Sequence, residues 1–163
     1  MDLSRQIEPN PTGGVRLHFR EEEVLLLREL LADLDALLED PGDPALRRLF
    51  PPAHADREHE EQYRSLVGDQ LVRGRSDALA AVSDTLGSER LGPEEADAWL
   101  RTLNDLRLVL GTRLDVTEDI DFEEVDLSEP RGRDLAVYGY LSWLQEQLVD
   151  ALGSGPDQST LGR

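Results

Sequence analysis

The chain contains no cysteine, and that single absence removes a large part of protein chemistry. Disulfides, thiolate zinc sites, iron–sulfur clusters and cysteine nucleophiles are excluded by inventory. Basic residues are scarce too: 17 Lys and Arg stand against 35 Asp and Glu, a formal charge of −18 at pH 7. Extended DNA contact is disfavoured on such a chain, because affinity for nucleic acid comes largely from neutralising phosphates. The charge leaves room for a local basic patch and favours basic partners. Aromatic residues make up only 5%, yet 39% of the 163 residues are hydrophobic, much of that leucine, so the chain reads as folded. No apolar run approaches the ~20 residues a membrane-spanning helix needs. The polar N-terminus, interrupted by Pro9 and Pro11, does not read as a signal or transit peptide, and the expected location is the cytoplasm.

Recognisable catalytic motifs are missing as well. There is no G-x-S-x-G elbow, no P-loop and no H-E-x-x-H. Carboxylates are abundant, but a catalytic pair needs one member held in an environment that raises its pKa. His54, Asp56, His59 and Glu60 cluster in sequence, but a spacing of five does not bring the two histidines to one helical face. No catalytic, cofactor-binding or metal-ligating residue is assigned, and no cofactor is expected.

What the chain does have is leucine at helical spacing. From Pro93 to Leu114, Trp99, Leu103, Leu106, Leu110 and Leu114 recur on one face. Leu100, Leu108 and Val109 widen the apolar girth, which suits a helix in the middle of a bundle. Pro93 stands at its first position and Glu94 and Glu95 at the positive end of its dipole. Leu27, Leu31, Leu34 and Leu38 give a second stripe over 21–38, and Val137, Leu141, Leu144, Leu148 and Leu152 a third over 131–152. A helical turn is expected at 44–50. Further helices are expected at 56–67 and 70–86, separated at Gly68 and Asp69, the second facing the core with Leu71, Ala78, Leu79, Val82 and Leu86. Near the N-terminus, Val15, Leu17 and Phe19 alternate with Arg16, His18 and Arg20 after a turn-rich PNPTGG, a strand pattern best completed by a hairpin back to Ile7. His18 falls on its polar face. The expected fold is mainly α: a single-domain bundle of about four to six helices over 1–152, with a short β element within 5–20 and a disordered tail at 153–163.

Several polar positions are candidates for function. Arg73 and Arg75, in the basic RGRS stretch, suit an acidic partner or phosphate, or ion pairs with surrounding acids. Residues 115–129 include no Lys or Arg, and Asp119, Asp121, Glu123 and Glu124 suit a basic partner. A calcium loop counted from Asp119 fails, since its sixth position is Glu124 rather than glycine and its twelfth is Pro130 rather than glutamate. Tyr140 and Trp143 fall off the last apolar stripe, and aromatics so placed are enriched at interfaces, including a homodimer's. Arg101, Asn104, Asp105 and Arg107 ride on the central helix as a candidate buried polar network that fixes helix register.

The run WLRTLNDLRLVLGTRLDVTED from Trp99 to Asp119 resembles an actinobacterial family of unknown-function domains typified by the oxidative-stress-responsive regulator AosR. The EEEVLLLRELLADLDALL helix, the segment Tyr63 to Val67 and the Tyr138-Gly139-Tyr140-Leu141 run support the likeness, which spans roughly residues 14–152. The resemblance implies a mostly helical cytoplasmic regulator in stress-linked transcription, acting without enzymatic chemistry through a protein partner such as a sigma factor. The redox-sensing branch is described as using a cysteine pair, and this chain departs from it by having none. Direct DNA binding is the alternative function, and a small carboxylate- and histidine-based metal enzyme a more distant one.

Overall fold

Asn10 to Gly14 is built to reverse the chain. The Asn10 side-chain oxygen accepts the Thr12 amide and hydroxyl at 3.4 and 3.2 Å, and Gly13 and Gly14 take the positive φ values the turn requires. In the computed structural model, which describes residues 5–40, 42–49, 57–116 and 125–153 (backbone alone for 57–69), this turn joins strands β1 (Ile7–Pro9) and β2 (Val15–Leu17). The expected hairpin therefore forms, antiparallel, with Ile7 opposite Leu17 and Pro9 opposite Val15. A third strand was not foreseen: β3 (Arg90–Leu91), within a stretch that reads as loop, pairs antiparallel with β2 to give the order β1-β2-β3. Two residues are too few to show alternation.

Helix α1 (Glu21–Leu38) starts where the Glu23 carboxylate accepts the Arg20 backbone N–H at 2.8 Å, and it buries the expected Leu27, Leu31, Leu34 and Leu38. A short 3-10 turn at Pro44–Leu46 follows, with the Asp43 carboxylate accepting the Ala45 N–H at 2.8 Å. Helix α2 (Arg57–Thr85) then runs unbroken through Gly68 and Asp69, against the expectation of two helices. Each of its two interior glycines, Gly68 and Gly74, costs about 1 kcal/mol relative to alanine, a penalty that a helix of 29 residues absorbs. The face of α2 also differs from expectation at one point. Leu79, Val82 and Leu86 are buried, but Leu71 is 43% exposed.

Helix α3 (Pro93–Leu114) is central, as its girth of apolar residues implied. It packs against both α2 and α4 and touches α1, β3 and the 44–46 turn. The Glu95 carboxylate accepts the Gly92 N–H at its start. Its end is closed by Asp115 in the left-handed conformation, with the Val116 N–H reaching back to the Gly111 carbonyl at 2.9 Å. Trp99, Leu103, Leu106, Val109 and Leu114 are buried, while Leu110 is half-buried. Helix α4 (Pro130–Gly153) buries Leu141, Leu144, Leu148 and Ala151 at steps of three, four and three. Leu152, expected on that stripe, is 37% exposed because the final step of three selects Ala151 instead. Among the described residues there are four α-helices and the three-stranded sheet, and the buried apolar side chains of β1 through α4 form one cluster. No described helix is long and apolar enough to cross a membrane.

Candidate functional site

A groove of about 330 Å³ runs between α2 and α3, lined by Gln70, Leu71, Gly74 and Arg75 from one helix and Arg101, Asn104 and Asp105 from the other. It brings together residues that the sequence offers as two unrelated groups. Asp105 is buried, and the Arg75 guanidinium, part-exposed, donates to its carboxylate through Nη1. Arg75 Nη2 also donates to the Leu49 carbonyl at 3.2 Å, so one side chain joins α2, α3 and the segment after the 3-10 turn. Burial pushes the Asp105 pKa up, and the hydrogen bond and charge of Arg75 only partly counter it. Of the RGRS pair, Arg75 thus makes an ion pair across helices, while Arg73 is exposed.

The four polar residues of α3 do not form one network. Arg101 is exposed and pairs with Asp97 one turn earlier, at 3.0 Å on the helix surface. Its expected place in a buried network is corrected: at that position the helix faces water. Arg107 and Asn104 turn toward α4 instead. Arg107 Nη1 donates to Gln145 Oε1 at 2.9 Å and its Nε to the Tyr138 hydroxyl at 3.4 Å, while Gln145 Nε2 donates to Asn104 Oδ1 at 3.4 Å. The Arg107 guanidinium also lies 5.8 Å from the Tyr138 ring centroid, within cation–π range. Polar side chains therefore tie α3 to α2 through Asp105 and to α4 through Arg107.

Tyr140 and Trp143 are neighbours, with ring centroids 6.3 Å apart. Trp143 is 38% exposed; Tyr140 is half-buried, and its hydroxyl is buried without a well-formed hydrogen bond. Burial raises the Tyr140 pKa most, the nearby Glu23 carboxylate raises it further, and Arg20 opposes them. Asp119, Asp121, Glu123 and Glu124 lie outside the described residues, as does the stretch 154–163. His18 is half-exposed and its Nε2 lies 3.1 Å from Glu8 Oε2. Among the described residues no group of three or more His, Asp or Glu side chains is arranged to hold a metal ion.

Two structural keystones were not singled out from sequence. Gln147 is buried on α4 and its side-chain oxygen accepts the backbone N–H of Gln6 and of Ile7, at 3.0 and 3.1 Å. The signal available was its place one residue before Leu148 on a helix whose core positions are otherwise apolar. Thr85 accepts the Trp99 indole N–H at 2.8 Å and donates to the Ala81 carbonyl at 2.7 Å. On the same α3 face, Phe19 stacks on Trp99 with centroids 5.7 Å apart.

Comparison with known proteins places this arrangement in a family. The chain is 32% identical to a protein of Mycobacterium leprae named putative oxidative stress regulator AosR, with 69% of this chain and 59% of that one covered. It is 30% identical to the oxidative stress regulator AosR of Mycobacterium tuberculosis, with 67% and 58% covered, and to the same degree to that of Mycobacterium bovis. The chain thus spans less than two thirds of the length of these relatives. No solved structure matches it significantly. The family profile described as "Domain of unknown function (DUF2017)" matches residues 5–152, from the start of the hairpin to the end of α4, and the chain belongs to that family.

Proposed function

We propose that this chain is a non-enzymatic cytoplasmic regulator in stress-linked transcription, acting through contacts with a protein such as a sigma factor or another transcription component. The observation that carries the reading is family membership together with the similarity to proteins named oxidative stress regulators. The composition and the surface are consistent with it. A charge of −18 suits a basic protein partner better than a DNA backbone. Trp143 offers an exposed aromatic anchor beside Tyr140, and Arg73 an exposed cation on α2. The acidic stretch holding Asp119, Asp121, Glu123 and Glu124 supplies the complementary charge in this reading. The signal cannot reach this chain through sulfur chemistry of its own cysteines, because it has none.

The direct experiment is co-elution of the purified chain with core RNA polymerase and with individual sigma factors from an actinobacterial host, at low salt. A stable complex with one of these is expected, weakened by Trp143→Ala and unchanged by prior treatment of the chain with peroxide. Failure to retain any transcription component would sink the proposal. A complex that Trp143→Ala leaves intact would move the contact surface elsewhere, and a homodimer lost on that substitution would assign Trp143 to self-association.

A further inference from the structure

Arg16 on β2 and Arg90 on β3 are direct cross-strand partners. Like charges directly opposite each other weaken a strand pair. Both side chains are exposed, and neither makes an ion pair among the described residues, on a chain with 35 acids available. Glu8 faces Arg16 from the other neighbouring strand, yet its carboxylate lies against His18. The two arginines border an open cleft of about 520 Å³ between the 16–19 segment and the 86–90 loop. That volume is in the range of small-molecule sites. Ser88 adds a hydroxyl to the rim and Glu89 one carboxylate, which leaves positive charge in excess. Phe19 and Val24, both half-buried, supply an apolar flank, and the stacking of Phe19 on buried Trp99 holds its ring in place.

We infer that this cleft binds a phosphate-type oxyanion carried on a small molecule, with Arg16 and Arg90 holding the anion and Phe19 and Val24 packing against its uncharged body. Guanidinium forks match phosphate oxygens bidentately, and Arg16 and Arg90 leave directly paired positions on adjacent strands at the edge of one cleft. An occupied cleft also converts the unfavourable arginine pair into a compensated one. This binding does not rest on the regulatory reading above.

Titration calorimetry of the full chain at low salt tests the inference with three probes: adenosine monophosphate, adenosine and inorganic phosphate. The monophosphate is expected to bind, phosphate more weakly and adenosine not at all. Arg16→Gln and Arg90→Gln are each expected to weaken monophosphate binding about tenfold or more, whereas Arg101→Gln on α3 leaves it unchanged. Both substituted positions are exposed, so the fold persists, and a thermal melt of each variant verifies that. Equal affinity for phosphate and the monophosphate would overturn the role given to Phe19 and Val24. No binding of either anion at millimolar concentration, or binding that both Arg→Gln variants retain in full, would overturn the proposal.

Discussion

Asp105 and Arg75 form an ion pair with unequal exposure: the carboxylate is buried in the α2–α3 groove while the guanidinium reaches solvent along one side. The burial of Asp105 raises its pKa in the folded protein more than Arg75 lowers it. Between the ordinary carboxylate value and that raised value the native state holds more protons than the unfolded one, so stability falls as pH rises through that window. Removing Arg75 leaves the carboxylate buried and unpaired. Arg75→Leu should therefore cost about 3 kcal/mol at neutral pH, the low end of the range for breaking a buried pair because Arg75 is part-exposed. Urea unfolding repeated at about pH 5, where a carboxylate of raised pKa takes up its proton more readily, should show a smaller cost. Equal costs at both pH values would mean that the guanidinium acts through packing alone.

Gln147 holds the N-terminal sheet to α4. Its one carbonyl oxygen serves two buried backbone donors, those of Gln6 and Ile7, at the start of β1. Gln147→Leu keeps the volume and orphans both N–H groups, at a cost of roughly 2–6 kcal/mol when each carries the usual penalty. The damage should be local at first: the Ile7 amide should exchange with solvent faster, while amides at the middle of α3 stay protected. A Gln147→Leu variant with unchanged Ile7 protection would show that the hairpin is held by its apolar contacts alone.

The bundle was legible in the sequence because its strongest signal is also its strongest physics. Leu27, Leu31, Leu34 and Leu38, and the Trp99–Leu114 series, are buried where their spacing placed them, apart from half-buried Leu110. Where a local rule was weak, tertiary context decided. Gly68 did not stop α2, and Leu71 and Leu152 lie just past the edge of the faces that pack. The polar contacts were the least legible. Asp105 was identifiable as a buried candidate, but its partner is 30 residues away on another helix, and neither spacing nor composition selects Arg75 over Arg101 or Arg107. Arg16 and Arg90 become neighbours only through a two-residue strand that no periodicity reveals.

Two glycines should respond in opposite directions to alanine. Gly14 has φ +74, and an added Cβ would fall 1.9 Å from the Leu91 carbonyl oxygen, so β2 and β3 would have to separate. Gly14→Ala is expected to cost on the order of 2 kcal/mol from overpacking and backbone strain together. Gly74 sits inside α2 with nothing within 4 Å of its would-be Cβ. Gly74→Ala should add up to about 1 kcal/mol through helix propensity. Denaturant midpoints for the two variants check both signs, and a destabilising Gly74→Ala would imply that the groove wall needs the missing side chain.

The arginine pair on the sheet makes a prediction about the unliganded protein that is separate from any ligand. If Arg16 and Arg90 repel each other across β2 and β3, replacing one with an acid should turn repulsion into attraction. Arg90→Glu should then raise stability by about 0.5 kcal/mol, within the range measured for opposite charges in cross-strand pairs, even though it adds two negative units to an already acidic chain. The gain should shrink in molar salt, where the screening length falls to about 3 Å and the exposed pair is largely masked. Melting curves at low and high salt separate this from a change in β propensity, which salt does not screen. A gain that persists unchanged in high salt, or a loss at low salt, would show that the two guanidinium groups splay apart into water and leave the strand pair unstressed.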